Sequence, residues 1–161
     1  MVQIVTDTTC GLPLEVAREF GIPMLPQIIV FGESSYRDDM ELDTATALQK
    51  LRRSAVLPKT SAPPPGLYGP LLAGLLVEGH TILCLHPSAE VSGALRSAEV
   101  AAQDSPGADI RVIDTRTIAA PLASEFEQGL GLARVPVYEL PPAIVVHGGP
   151  GVLTASFFTT T

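Results

Sequence analysis

Hydroxyl-bearing side chains collect in four short polar segments of this chain, and their donors suit an anionic ligand. Three of the segments follow apolar runs, at residues 6–9, 88–93 and 114–117. The fourth, Thr60 with Ser61, opens a proline-rich stretch. Hydroxyl groups and the free N–H groups of helix N-termini both bind carboxylates and phosphates. The segments therefore predict an anion-binding site.

Several of these residues also fit ordinary structural roles. Asp7 suits a helix cap or an Asx turn as well as a binding site. Ser92 suits the N-cap of the helix that follows it, and a cap can also contact a ligand. Ser88 directly follows a buried run, although serine is common in turns. For each residue the sequence leaves both roles open.

Ser88, His86 and Asp7 together supply the residue types of a hydrolase triad. The Gly-x-Ser-x-Gly turn that exposes the nucleophile of α/β hydrolases is missing here. A small α/β hydrolase that uses Ser88 is therefore an alternative to a binding protein. No set of Cys, His, Asp and Glu has the spacing of metal ligands, so we predict no metal site.

His147 begins the glycine-rich segment 147–151. A histidine in such a turn serves as a hydrogen-bonding or pH-sensitive group, or it is an unengaged surface residue. The segment lacks the Lys-Ser/Thr pair and the following helix of a phosphate-binding loop.

Apolar and helical patterns alternate along the first two thirds of the chain. Apolar runs at 2–5, 81–85 and 110–114 predict buried strands, while leucine spacing at 67–75 and residues 93–103 predict helices. This alternation indicates an α/β fold with a parallel sheet and flanking helices. Ligands of such sheets bind outside the carboxyl ends of the strands. The polar segments are therefore expected at one edge of the sheet.

The remaining segments are less regular. Residues 22–31 predict an extended stretch. Because Pro23 and Pro26 cannot donate backbone hydrogen bonds, it is expected to be an edge strand or an irregular segment that leads into a strand. We predict a surface loop at 33–43 and a stiff, non-helical loop at 59–65. The C-terminal part predicts strands at 135–140, 143–146 and 153–158.

Composition narrows the classes of protein to which the chain can belong. With 161 residues, of which 46% are hydrophobic and 17% charged, it is long and apolar enough for one folded domain. Its net charge of −7 repels phosphate backbones and argues against a nucleic-acid partner. Two cysteines do not make a disulfide framework. The sequence shows no signal peptide and no membrane span, so the expected location is cytoplasmic.

Six blocks of the sequence occur in the order found in one known family. They are Val5-Thr6-Asp7-Thr8-Thr9, the Leu25-Pro26 to Asp38 region, Thr60-Ser61-Ala62-Pro63, Ser88 to Ala94, Val112-Ile113-Asp114-Thr115 and His147-Gly148-Gly149-Pro150-Gly151. Together they make the chain resemble the DegV family of bacterial fatty-acid-binding proteins.

The resemblance implies a lipid carrier without a catalytic role. Family members hold one long-chain fatty acid between two domains, and some present its carboxylate to a separate fatty acid kinase. No other cofactor is expected. By resemblance the carboxylate-binding residues are Thr60, Ser61, Ser88, Ser92, Gly93 and His147, with Asp7, Thr8 and His86 as secondary candidates.

The chain also departs from the family pattern. Alanine stands at positions 62, 89 and 94, where the family usually has polar side chains. Only about 30 residues separate the fifth block from the sixth, where the family has a second domain. We therefore expect a DegV-like domain at 1–118, a junction at 119–136 from which a stretch of polypeptide is missing, and a segment at 137–161 that packs on the first domain. A remnant of the family that binds nothing is a further alternative.

Overall fold

The computed structural model describes residues 1–116 and 140–149. In chain order the elements are β1 (Val2–Asp7), a 3-10 turn (Thr8–Cys10), α1 (Leu14–Glu19), β2 (Met24–Leu25), β3 (Ile28–Phe31), β4 (Ser34–Arg37), α2 (Thr44–Arg53), β5 (Lys59–Ser61), α3 (Pro65–Val77), β6 (Thr81–His86), α4 (Ala94–Gln103), β7 (Ile110–Asp114) and α5 (Pro142–Gly148). The predicted junction, the predicted strand at 153–158 and most of that at 135–140 lie outside the described residues.

A four-stranded parallel sheet, in the order β2-β1-β6-β7, forms the centre of the fold. Helices α3 and α4 pack on one of its faces and on each other. Side chains from the sheet and both helices form its core, and they include Val5, Tyr68, Leu72, Cys84 and Ala98. The α/β class and the strands expected near 2–5, 81–85 and 110–114 are confirmed.

A second sheet lies beside the first, and its strands are antiparallel in the order β4-β3-β5. The predicted loop at 33–43 is wrong in part, because Ser34–Arg37 pairs with β3 and Asp38 is buried. The predicted loop at 59–65 is also wrong in part. Lys59–Ser61 is a strand, and Pro65 is the first residue of α3, a position that needs no backbone N–H.

Helix α5 replaces the strand predicted at 143–146. The Ala-Ile-Val-Val run has the composition of a buried strand, and such a run does not distinguish a strand from a buried helix. Pro141 and Pro142 start the helix, and α5 then packs against α2 and β3. A cluster formed by Ile29, Leu42, Ala47, Ala143 and Val146 buries it. The apolar, β-branched composition of this run therefore reflects its burial and not a strand conformation.

Two findings concern only residues 1–116 and 140–149. None of their helices has the length and hydropathy of a membrane span. No group of three or more His, Cys, Asp or Glu side chains in these ranges is arranged to hold a metal ion.

Candidate functional site

Thr60 and His147 meet at the end of the second sheet. Thr60 Oγ1 lies 2.7 Å from His147 Nε2, although 87 positions separate the two residues. Thr60 is half-buried and His147 is exposed. The pair thus forms a polar point that solvent and a ligand can reach.

The strand register explains why Thr60 faces this way. Thr60 pairs with Ile29 across β3 and β5, and paired residues share one face of a sheet. On that face Ile29 contacts Ala143 and Val146 of α5. Thr60 therefore points toward the helix that carries His147 in its last turn. Ser61 follows Thr60 along the strand, so its side chain leaves the opposite face.

The loop from Ser88 to Gly93 supplies two further hydroxyl groups. Ser88 Oγ accepts a hydrogen bond from Glu90 N at 3.3 Å, and Ser92 Oγ accepts one from Ala94 N at 3.2 Å. Each serine acts as an acceptor in these contacts and keeps its O–H as a donor. The backbone thus orients both hydroxyl groups without consuming the donor that an anion needs.

This loop leads into the N-terminus of α4 and approaches the Thr60 segment. A Cβ atom at Gly93 would lie 3.5 Å from Ala62 Cβ, an ordinary van der Waals distance. Gly93 is the N-cap and has no side chain to bind the first-turn N–H groups. A concavity of about 480 Å³ adjoins Ser92 and Gly93, with Arg96 also in its wall. The structure therefore brings the two loops into proximity.

Asp114, at the end of β7, holds the same loop through a hydrogen bond to its backbone. Its Oδ2 accepts from Ala89 N at 3.4 Å, and its Oδ1 accepts from Arg116 N at 2.8 Å. Thr115 donates to the carbonyl of His86 through both its N–H, at 3.1 Å, and its hydroxyl, at 2.8 Å. The third polar segment thus supports the 88–93 loop.

The secondary candidates Asp7, Thr8 and His86 are buried, with exposed fractions of 0%, 4% and 1%. Asp7 Oδ2 lies 2.8 Å from His86 Nδ1. Its Oδ1 accepts hydrogen bonds from Thr9 and from Gln27 Nε2. These side chains are nearly closed off from solvent, and their polar atoms are engaged with neighbouring buried residues.

The hydrolase triad is only half formed. His86 Nδ1 pairs with Asp7, as a triad requires, and the ring lies edge to face with Tyr68. His86 Nε2, which would activate a serine, is buried and makes no hydrogen bond within residues 1–116 and 140–149. The nucleophile-to-base contact with Ser88 is thus absent from the described structure.

Gln27 and Asp38 form a buried part of the site region that the sequence did not single out. Thr8 Oγ1 lies 2.8 Å from both oxygens of Asp38, and Gln27 N donates to Oδ1 at 2.9 Å. Burial, with a smaller contribution from the nearby carboxylates Asp39 and Asp7, raises the pKa of the Asp38 carboxyl to about 7, although the hydrogen bonds from Thr8 and Gln27 oppose this shift. The only sequence signal for Asp38 was its place in the second family block.

Helix α1 and the segment after β4 border a cleft of about 660 Å³ near Asp38. Its wall carries the carboxyl groups of Glu15, Asp39, Glu41 and Asp43 as well as Asp38. A smaller, mostly apolar pocket of about 270 Å³ lies beside the carboxyl ends of β1 and β6. The larger cleft is thus acidic and suits no anion, whereas the smaller pocket offers mainly apolar surface.

Comparisons with known proteins find relatives of this chain in one family. The family model described as "Uncharacterised protein, DegV family" matches residues 1–134. A DegV domain-containing protein of Streptomyces coelicolor is 35% identical over 122 residues, which are 75% of this chain and 43% of that protein.

Solved structures show the same relationship. A DegV family protein of Thermus thermophilus, described as binding fatty acid, is 34% identical with a TM-score of 0.68, and the match covers 73% of this chain and 42% of that one. DegV of Bacillus subtilis, described as a fatty acid binding protein, is 30% identical with the same TM-score and coverage. The chain thus spans less than half the length of these relatives. It belongs to the DegV family.

Proposed function

We propose that this protein binds a long-chain fatty acid by its carboxylate and acts as a carrier. The carboxylate is held by Thr60 and the Ser88–Gly93 loop, beside His147. The observation that carries the proposal is the 2.7 Å contact between Thr60 Oγ1 and His147 Nε2. It places a hydroxyl and an imidazole together at an accessible edge. When His147 Nε2–H donates to Thr60 Oγ1, the Thr60 O–H stays available to donate to an anion.

The local chemistry supports binding over catalysis. Ser88 and Ser92 keep their O–H donors, and the first turn of α4 has no side-chain cap from Gly93. These groups hold an anion without transforming it. In the described residues Ser88 has no contact with His86 Nε2, so nothing there activates Ser88 to attack an acyl carbon.

The relatives support a lipid as the ligand. The Thermus thermophilus and Bacillus subtilis proteins are described as fatty-acid-binding, at 34% and 30% identity. Because the matches cover 42% of those chains, their ligand is a proposal for this one. Delivery of the lipid to a fatty acid kinase and a cytoplasmic location stay predictions.

The first test is native mass spectrometry of delipidated protein mixed with oleate or palmitate. The wild type is expected to carry one fatty acid per chain. Thr60→Val removes the hydroxyl at nearly constant volume. Loss of a hydrogen bond to a charged group costs about 1.5–3 kcal/mol, or roughly 10- to 150-fold in affinity.

Thr60→Ser is the matched control, because it keeps the hydroxyl, and its affinity should stay within a few fold of the wild type. A folded wild type that takes up neither lipid would instead identify a remnant that does not bind. Equal binding by Thr60→Val would place the carboxylate elsewhere.

A further inference from the structure

The two halves of the candidate carboxylate site stand on different sheets. Thr60 is on β5 of the antiparallel sheet, and His147 reaches it from α5, which packs on that sheet through Ile29. The Ser88–Gly93 loop leaves β6 of the parallel sheet. A ligand that touches both halves needs the two sheets at a fixed separation.

Asp38 lies where the two sheets meet. It follows β4 of the antiparallel sheet, and its carboxylate accepts from Thr8, which follows β1 of the parallel sheet. It also accepts from the N–H of Gln27, the residue between Pro26 and β3, and its own N–H donates to the Gln27 carbonyl at 3.1 Å. Asp38 is only 8% exposed, so water does not compete well for these contacts.

From Asp38 the contacts continue toward the loop that carries the serines. Gln27 Nε2 donates to Asp7 Oδ1 at 3.1 Å, and Asp7 Oδ2 contacts His86 Nδ1 at 2.8 Å. His86 ends β6, two residues before Ser88. An unbroken series of buried hydrogen bonds thus joins the end of β4 to the start of the 88–93 loop.

We propose that Asp38 is a positioning residue, whose ionised carboxylate holds the Thr60–His147 half of the site at the separation from the Ser88–Gly93 loop that a ligand carboxylate requires. This inference rests on the proposed function. It makes anion binding depend on a side chain that the anion does not touch.

The charge state of Asp38 decides how many hydrogen bonds its carboxyl group can accept. The ionised carboxylate is acceptor-only, whereas the protonated form uses one oxygen to carry hydrogen and loses acceptor capacity toward Thr8 and Gln27. Because burial raises the pKa of Asp38 to about 7, this change falls between pH 6 and 8. The anion should therefore bind more tightly as the pH rises.

Simple electrostatics predicts the opposite direction. The groups around Asp38 are mostly acidic: Asp7 from β1, Asp39 and Glu41 from its own segment, Glu15 from α1 and Asp43 before α2, while Arg37 is paired with Asp39 at 2.8 Å. Ionising Asp38 adds one more negative charge, which repels an anion. The sign of the pH effect thus separates positioning from repulsion.

The binding experiment uses hexadecanesulfonate, whose headgroup stays ionised over the whole range, alongside oleate. At pH 6 about one molecule in ten carries ionised Asp38, so affinity should be about tenfold lower than at pH 8. Asp38→Asn should bind weakly at pH 8 and lose the rise in affinity from pH 6 to pH 8. Thr8→Val, which removes one donor to Asp38, should weaken binding at pH 8.

Asp43→Asn is the matched control. It removes one charge from the same cleft, and Asp43 is exposed and only caps α2. It should keep the tenfold pH dependence. Asp38→Asn binding as tightly as the wild type at pH 8, or keeping the tenfold rise in affinity from pH 6 to pH 8, would overturn the proposal.

A measurement without ligand distinguishes this proposal from the proposed function. In 1H–15N spectra of the wild type, the amides of Thr60 and Gly93 should shift together with a midpoint near pH 7, and Asp38→Asn should remove that transition. If these amides do not respond to Asp38, positioning is wrong whether or not a lipid binds. If they respond while oleate and the sulfonate fail to bind, only the proposed function fails.

Discussion

Asp7 is a fully buried carboxylate whose partners are all uncharged donors or a histidine. It accepts from Thr9 and Gln27 and contacts His86, and within residues 1–116 and 140–149 it pairs with no lysine or arginine. A buried carboxylate is tolerated only when its oxygens are saturated with hydrogen bonds. The partners of Asp7 are therefore as important to stability as Asp7 itself.

Asp7→Ala is expected to lower the free energy of unfolding by about 3–5 kcal/mol, because it leaves several buried donors without an acceptor. Urea unfolding measures this loss. His86→Leu should also be destabilising, and the double variant should cost less than the sum of the two by about 1–3 kcal/mol. Strict additivity would mean that the 2.8 Å contact contributes nothing.

The sequence predicted the hydroxyl and histidine residues of the candidate site, but not the buried residues that hydrogen-bond beside it. Thr60 and His147 were predicted in one site through the family resemblance, and the structure places them 2.7 Å apart. Gln27 and Asp38 were missed because their contacts are long-range: Gln27 N and Asp38 are 11 positions apart, and Thr8 and Asp38 are 30 apart. A buried acid that is paired only through the fold leaves no periodic pattern in the chain.

Helix α5 shows how much the element scale depends on tertiary context. It is seven residues long, too short to be stable alone, and its stability comes from packing on α2 and β3. Thr44 Oγ1 also donates to the Leu140 carbonyl just before the helix, at 3.2 Å. The same dependence explains the wrong strand prediction at 143–146, since composition alone did not reveal which neighbours enclose the run.

Val146→Asp should detach α5, because it places an unpaired charge in the cluster around Ile29 and Ala47. We expect a loss of about 3 kcal/mol or more in unfolding free energy, and a His147 ring signal in NMR spectra like that of a free histidine. Val77→Asp is the matched control, since Val77 is 89% exposed at the end of α3, and it should change stability little. A native His147 signal in Val146→Asp would show that α5 docks by other contacts.

At the scale of the whole molecule, sequence periodicity predicted the parallel sheet but not the second sheet beside it. The parallel strands β1, β6 and β7 are five or six residues long and mainly apolar. The antiparallel strands are three or four residues long, and Ser34–Arg37 and Lys59–Ser61 are polar. Such strands are defined by their pairing with β3, which a local pattern cannot show.

Asp38 also gives the whole molecule a pH-dependent stability. Its pKa is raised from 3.8 to about 7 on folding, so the folded state binds the proton more tightly than the unfolded state. The resulting stabilisation is fully present below pH 3.8 and is lost as the pH rises through 7. Between pH 5.5 and 8 this group alone should lower the unfolding free energy by about 2 kcal/mol.

Urea unfolding at pH 5.5 and 8 tests this loss by comparing the wild type with Asp38→Asn. The variant should lack the contribution of about 2 kcal/mol, whereas Asp43→Asn should retain it. Equal pH dependence in the wild type and Asp38→Asn would show that Asp38 titrates at its ordinary value. The pH that favours the positioning role of Asp38 is thus the pH at which this residue stabilises the fold least.

Because 87 positions separate Thr60 from His147, the two residues are synthesised at different times. At about 5–20 residues per second, a ribosome needs roughly 4–17 s for these positions before it adds His147, and longer with the polypeptide expected at the 119–136 junction. During that interval the growing chain has the strand that bears Thr60 but lacks the helix that covers it. A lipid that requires both residues can therefore be loaded only after translation has passed this point, and until then the apolar face around Ile29 lacks the helix that buries it.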